Sequence, residues 1–126
     1  MARIVVADDE GDIRRLIAFT LRRRGHEVFE AADGTSALET VRGLHPDLAV
    51  LDVMMPGMDG LEVARALAAD EATHQLPVLI VSAGGQPAAL DEGQVGGARA
   101  YLEKPFAPQD LAAHVDALLR QSRPSQ

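Results

Sequence analysis

The stretch "RIVVADDEGD", residues 3–12, changes abruptly from apolar to acidic. Its first half is rich in β-branched residues and apolar without alternation, which is typical of a strand buried on both faces of a parallel sheet. Its second half places four carboxylates in five positions. These are Asp8, Asp9, Glu10 and Asp12. The stretch therefore predicts a central strand whose carboxyl end carries concentrated negative charge.

Other segments repeat this strand pattern along the chain. Residues 46–52 and 76–83 contain continuous apolar runs, which predict two more central strands. Residues 26–31 and 98–104 predict two further strands. Because helical patterns alternate with these strands, the sequence predicts one α/β domain with a parallel sheet and helices on both faces.

Four stretches have helical periodicity. They are residues 12–24, 34–43, 60–70 and 108–121. The first is predicted to end before Gly25, a residue suited to the left-handed position after a helix, and the second to end at Gly43. The last begins with Pro108, which favours a first helical position. The predicted buried faces are Ile13, Leu16, Ile17, Thr20 and Leu21 in the first helix, and Leu111, Val115, Leu118 and Leu119 in the last.

Residues 84–97 interrupt the pattern because they contain five of the eleven glycines. Each glycine inside a helix costs about 1 kcal/mol relative to alanine, so only a short or mobile fourth helix is expected there. Residues 1–121 are expected to form the single domain, and residues 122–126 a frayed tail or the stub of a linker.

Composition excludes several classes of function. The chain has 126 residues, 12 of them basic and 19 acidic, and a net charge of -7, which disfavours direct binding to nucleic acid. It has no cysteine, so disulfides and thiolate chemistry are excluded. No signal peptide or apolar span is recognisable, and the protein is expected to be soluble and cytoplasmic, with no membrane partner. Its histidines lack ligand spacing; they are His26, His45, His74 and His114.

Polar side chains follow the predicted strands at their carboxyl ends. They are Asp8, Asp9, Asp52, Ser82 and Lys104. Ligands of doubly wound sheets bind at this edge, so these residues are expected to share one crevice. Clustered carboxylates repel one another unless a cation intervenes, and hard oxygen ligands favour Mg²⁺, for which Mn²⁺ could substitute. With Lys104, the only lysine, and the Ser82 hydroxyl, the set indicates phosphoryl transfer onto an aspartate.

Four motifs carry a family resemblance. They are "DDE" (8–10), "DVMMPGMDG" (52–60), "VSA" (81–83) and "YLEKPF" (101–106). Together, in this order and spacing, they resemble the receiver domain of response regulators, the phosphoacceptor module of two-component phosphorelay signalling. The resemblance spans nearly the whole chain and implies a single doubly wound, flavodoxin-like (βα)5 domain with strand order 2-1-3-4-5.

The resemblance also implies roles for individual residues. Asp52 is similar to the phosphoacceptor, which takes a phosphoryl group from a sensor histidine kinase or phosphotransfer protein. Asp9, Asp52 and the main-chain carbonyl of Met54 resemble the Mg²⁺ ligands, with Asp8 supporting the metal through water or an outer contact. Lys104 is similar to the lysine that pairs with the acidic cluster and then with the phosphoryl group.

Two further expectations follow from the resemblance. Ser82 and Tyr101 resemble a switch pair, in which the hydroxyl moves toward the phosphate and the ring fills the vacated space. The Lys104–Pro105 bond is expected to be cis. The output surface would be formed by the fourth helix, the fifth strand and the fifth helix, and would control a downstream protein or output domain.

Three alternatives compete with this interpretation. A phosphohydrolase of the haloacid dehalogenase type, an Mg²⁺-dependent enzyme, needs a second carboxylate two residues after the nucleophile, where this chain has Met54. A nucleotide- or flavin-binding module needs a phosphate loop, and neither glycine-rich pattern is present. A degenerate receiver that serves only as a protein-binding scaffold should lack acidic residues that this chain retains. We therefore expect a signalling phosphoacceptor that catalyses only its own phosphorylation and dephosphorylation.

Overall fold

The computed structural model describes residues 2–83 and 98–122. The strands of this part are β1 (Arg3–Ala7), β2 (Glu27–Ala31), β3 (Leu48–Asp52), β4 (Val78–Ser82) and β5 (Ala98–Glu103). Its helices are α1 (Gly11–Arg23), α2 (Gly34–Leu44), α3 (Gly60–Ala69) and α4 (Pro108–Ser122). Helix α4 is therefore the fifth helix of the predicted pattern. The predicted fourth helix lies outside the described residues, as do residues 123–126 of the tail predicted at 122–126; Ser122 is the last residue of α4.

The five strands form one parallel sheet in the order β2-β1-β3-β4-β5. This confirms the predicted fold class and strand order. Every residue of β3 and of β4 is buried, as is β1 after its first residue, because each of these strands has a neighbour on both sides. The continuous apolar runs thus identified the three central strands correctly.

Two hydrophobic cores cover the two faces of the sheet. Ile4 and Val6 of β1 pack with side chains from α1 and α4, whereas Val5 and Ala7 pack with side chains from α2 and α3. Successive residues of a strand point to opposite faces, so one short strand contributes to both cores. The helices therefore occupy both faces, as the alternation of elements predicted. Within the described residues, no helix is both long and apolar enough to span a bilayer.

Two details of the predicted helices are wrong. Leu16 was expected on the buried face of α1, but this residue is 39% exposed, and the fully buried positions are Ile17, Ala18 and Leu21. Helix α2 continues through Gly43 to Leu44, and its C-cap residue His45 itself takes the left-handed conformation, with a φ of 52°. The buried face of α4 and the left-handed Gly25 are confirmed.

Helix α3 begins tightly against the end of β3. Its first residue, Gly60, donates its backbone N–H to the Val53 carbonyl at 3.0 Å. Asp59 and Glu62 form a reciprocal capping box that fixes this first turn. A Cβ atom at Gly60 would lie 2.2 Å from the Asp52 carbonyl oxygen, so only glycine fits there. The close approach fixes the backbone that carries the Asp52 side chain.

We predict opposite effects for two glycine-to-alanine substitutions. Gly60→Ala should lower the free energy of unfolding by at least about 2 kcal/mol, because the backbone must shift to relieve the clash. Gly43→Ala should raise it by about 0.5–1 kcal/mol, because Gly43 is a helical residue with no atom within 4 Å of the added carbon. Urea unfolding of both variants tests this pair; equal effects would contradict the packing described for α3.

Candidate functional site

The carboxyl edge of the sheet gathers the polar residues predicted from the strand ends. Asp8 follows β1, Asp52 ends β3, Ser82 ends β4 and Lys104 follows β5. The Lys104 backbone N–H donates to the Ser82 carbonyl at 2.8 Å, which ties the end of β5 to the end of β4. Asp8, Asp52 and Ser82 are all buried. A small polar site therefore lies at one end of an otherwise apolar sheet.

Lys104 is the cation of this site. Its Nζ atom lies 2.9 Å from Asp8 Oδ2, 3.1 Å from Glu10 Oε1 and 3.3 Å from Asp52 Oδ1. Burial alone would lower the pKa of Lys104, but its contacts with the carboxylates of Asp8, Glu10 and Asp52 outweigh burial and raise it. Lys104 therefore remains charged and holds the carboxylates together.

Asp52 is a buried carboxylate whose protonation is perturbed by its surroundings. Burial, followed by the negative charge of Asp8, raises the pKa of Asp52 from its ordinary value of 3.8 to about 6, although Lys104 acts in the opposite direction. The positive charge of Lys104 therefore does not fully balance the negative charges around Asp52. An additional cation would stabilise the ionised form of Asp52.

Three carboxylates are arranged so that they could share a metal ion. One oxygen from each of Asp8, Asp9 and Asp52 lies within 4.8 Å of the others, and Asp9 is the exposed member. All of these donors are hard carboxylate oxygens, which fit Mg²⁺. Met54 lies two residues after Asp52, and because its thioether is a soft ligand, only its main-chain carbonyl is suited to a hard cation.

Tyr101 and Ser82 lie on neighbouring strands beside this cluster. The Tyr101 hydroxyl is shielded from solvent and makes no hydrogen bond of ordinary geometry to any described residue. Burial, and then the charge of Glu103, raises the pKa of Tyr101, while the nearby Ser82 side chain lowers it in part. The Lys104–Pro105 peptide is cis, as expected. The described histidines make backbone contacts away from the cluster or lie apart from it.

The sequence pattern missed two residues of the site. Glu10 pairs with Lys104, although it was noted only as part of the acidic run. Arg14 donates from Nη1 to the Asp8 carbonyl at 2.9 Å, and its Nε lies 3.2 Å from Glu30 Oε1. Arg14 follows Glu10 by one helical turn, so its position at the start of α1 is the signal that could have identified it.

Comparison with known proteins matches this chain to one protein family. A family model described as "Response regulator receiver domain" matches residues 4–116. The phosphate regulon transcriptional regulatory protein PhoB of Pseudomonas aeruginosa is 39% identical over 121 residues, which are 96% of this chain and 53% of PhoB. The DNA-binding response regulator MtrA of Mycobacterium tuberculosis H37Rv is 39% identical over 95% of this chain and 51% of MtrA. The chain spans about half the length of these curated relatives.

Solved structures agree with the observed fold. The chemotaxis response regulator CheY4 of Vibrio cholerae superposes with a TM-score of 0.86 and is 33% identical, over 94% of this chain and 98% of CheY4. Here the match covers nearly the full length of both chains. The strand order, the acidic edge of the sheet and the sequence similarity therefore identify the same family.

The acidic cluster predicts a stabilising effect of Mg²⁺. Mg²⁺ at about ten times its dissociation constant should raise the free energy of unfolding of the wild type by about 1.4 kcal/mol relative to EDTA. Asp9→Asn should lose most of this increment because it removes the exposed member of the cluster. Asp12→Asn is the matched control, since Asp12 is 97% exposed and pairs with Arg15. Equal increments in all three proteins, measured by urea unfolding, would contradict a metal site here.

The raised pKa of Asp52 predicts that Asp52→Asn increases the free energy of unfolding by an amount that depends on pH. The folded protein binds this proton more tightly than the unfolded chain, so the stability contributed by the group is present below pH 3.8 and is lost as pH rises through about 6. In EDTA at pH 8, Asp52→Asn should therefore increase the free energy of unfolding by about 1–2 kcal/mol, after allowance for solvent screening. The gain should vanish near pH 4; a gain independent of pH would refute the charge-repulsion explanation.

Proposed function

Because this chain belongs to the response regulator receiver family, we propose that Asp52 accepts a phosphoryl group from a phosphohistidine of a sensor histidine kinase or phosphotransfer protein. The observation that carries the proposal is the position of Lys104 Nζ, 2.9 Å from Asp8 and 3.3 Å from Asp52. A buried aspartate beside a fixed ammonium is a nucleophile that already has a cation ready for an incoming phosphoryl group.

The proposed transfer is a direct displacement at phosphorus. A carboxylate oxygen of Asp52 forms the new P–O bond while the P–N bond to the donor imidazole breaks, and the imidazole nitrogen keeps the electron pair and takes up a proton. Mg²⁺ bound by Asp9, Asp52 and the Met54 carbonyl, with support from Asp8, would offset the negative charge of the carboxylates and phosphoryl oxygens. Lys104 would contact a phosphoryl oxygen once Asp52 no longer carries its own charge.

Ser82 and Tyr101 would couple phosphorylation of Asp52 to a change at the protein surface. The Ser82 hydroxyl, at the end of β4, can donate a hydrogen bond to a phosphoryl oxygen that is absent before the reaction. The Tyr101 hydroxyl is enclosed near Ser82, so movement of one side chain changes the surroundings of the other. The affected face would include β5 and α4, and a partner that prefers the altered face would bind more tightly.

The proposed output is control of a partner protein or of an output domain. The relative PhoB is named a transcriptional regulatory protein and the relative MtrA a DNA-binding response regulator, and this chain matches about half of each. Its net charge of -7 argues against nucleic-acid binding by the receiver itself. We place the phosphorelay in the cytoplasm, with the sensor kinase and the output partner as its protein contacts.

The alternative of a phosphohydrolase that turns over small substrates receives less support. Such an enzyme needs an acid or base beside the nucleophile, and the position two residues after Asp52 carries Met54, whose thioether cannot exchange protons. The chemistry we propose for this chain is therefore limited to its own phosphorylation and dephosphorylation.

Phosphorylation by a small donor tests the proposal. Wild-type protein incubated with acetyl phosphate and Mg²⁺ should gain one phosphoryl group by intact mass, and EDTA should prevent the gain. Asp52→Asn should not gain it, because an amide is not a nucleophile here, whereas Asp12→Asn should react as wild type does. A wild type that never gains the group, or an Asp52→Asn protein that gains it equally, would contradict the assignment and favour a protein-binding scaffold.

A further inference from the structure

Glu10 is a carboxylate partner of Lys104 that the proposed chemistry does not use. Its Oε1 lies 3.1 Å from Lys104 Nζ. The side chains of Lys104 and Asp8 are 9% and 1% exposed, whereas that of Glu10 is 63% exposed. Glu10 therefore contacts the ammonium from the solvent side, at the mouth of the site.

The backbone of Glu10 is held independently of its side chain. The Glu10 N–H donates to Asp8 Oδ1 at 2.9 Å, and the Glu10 carbonyl accepts from the Arg14 N–H at 2.9 Å. Glu10 is the N-cap residue of α1, yet its side chain makes no capping hydrogen bond. A carboxylate near the start of a helix normally interacts with the free backbone N–H groups. Here the side chain extends to Lys104 instead.

Glu10 also differs from the other carboxylates of the site in its position relative to the possible metal ligands. Asp8, Asp9 and Asp52 form the group that could share a metal ion, and Glu10 is outside it. Within the described chain, the only ion pair of Glu10 is with Lys104. A phosphoryl group arriving at Asp52 would need the same ammonium, so it must compete with Glu10 and approach its negative charge.

We propose that Glu10 is a specificity-determining residue that slows phosphorylation of Asp52 by free, anionic phosphodonors. The inference rests on the function proposed above. A docked protein donor has contacts elsewhere whose binding can offset the displacement of Glu10 from Lys104. A small acyl phosphate has no such contacts, so it meets the full repulsion. Glu10 would thereby favour the protein donor over small metabolites of the same reactivity.

The small-donor reaction is suited to a test because it isolates this repulsion. With acetyl phosphate, an Asp52 oxygen forms the bond to phosphorus, the bond between phosphorus and the acyl oxygen breaks, and acetate leaves with the electron pair. Phosphoramidate donates the same group but carries less negative charge at neutral pH. Charge repulsion by Glu10 should therefore slow phosphorylation by acetyl phosphate more than phosphorylation by phosphoramidate.

The experiment compares phosphorylation rates of the full chain with saturating Mg²⁺, followed by intact mass. Glu10→Gln should react about 3- to 10-fold faster than wild type with acetyl phosphate, and the increase should be smaller with phosphoramidate and at high salt. Asp12→Asn removes an equal charge from the same turn of α1 but has no contact with Lys104, so its rate should stay close to that of wild type. An unchanged or slower Glu10→Gln, or an equal acceleration in Asp12→Asn, overturns the proposal.

A second measurement examines the contact without any phosphorylation. Lys104 is the only lysine, so protein labelled with ¹³C-lysine gives a single set of lysine NMR signals. The Lys104 ε-methylene signal should shift in Glu10→Gln and not in Asp12→Asn. A signal unaffected by Glu10→Gln also overturns the proposal. If the contact is present but the wild type takes up no phosphoryl group at Asp52, the proposed function fails instead.

Discussion

A single ammonium group holds together the carboxylates at the end of the sheet. Lys104 follows β5, whereas Asp8 follows β1, and two strands lie between them in the sheet order. Strands are spaced by about 4.8 Å, so only a long, flexible side chain from the end of β5 can reach both Asp8 and Asp52. Because buried charges without partners are strongly destabilising, this contact makes the acidic edge compatible with a folded domain.

The same arrangement leaves the site short of positive charge. Lys104 faces three carboxylates, and the pKa of Asp52 is raised to about 6 even with the ammonium 3.3 Å away. Such a site favours a divalent cation, and with it the approach of a phosphoryl group. The burial and charge repulsion that raise the pKa of Asp52 lower the folding stability of the domain, and the same repulsion favours the binding of the cation that the proposed reaction needs. The tight start of α3 at Gly60 fixes the backbone on which this charge balance depends.

The sequence predicted the sheet better than the helix surfaces. Continuous apolar runs identified β1, β3 and β4, and the residues after them identified the site, because parallel strands bring their carboxyl ends to one edge. Helical periodicity could not decide whether Leu16 or Ala18 faces the core, since the two lie on opposite margins of the apolar stripe. The end of α2 was misplaced because His45, rather than a glycine, adopts the left-handed conformation. The Glu10–Lys104 contact joins residues 94 positions apart through two flexible side chains, which local patterns do not encode.

The proposed acceptor of the phosphoryl group is Asp52, which is held beside Lys104. The most direct measurement is chemical mapping of the modified residue after reaction with a phosphodonor. Borohydride reduces an aspartyl phosphate to homoserine, so peptide mass spectrometry can read the position in the chain. Homoserine is expected at residue 52 and at no other aspartate. Homoserine at Asp8 or Asp9, or a phosphoryl group that resists borohydride because it lies on a hydroxyl or an imidazole, would contradict it.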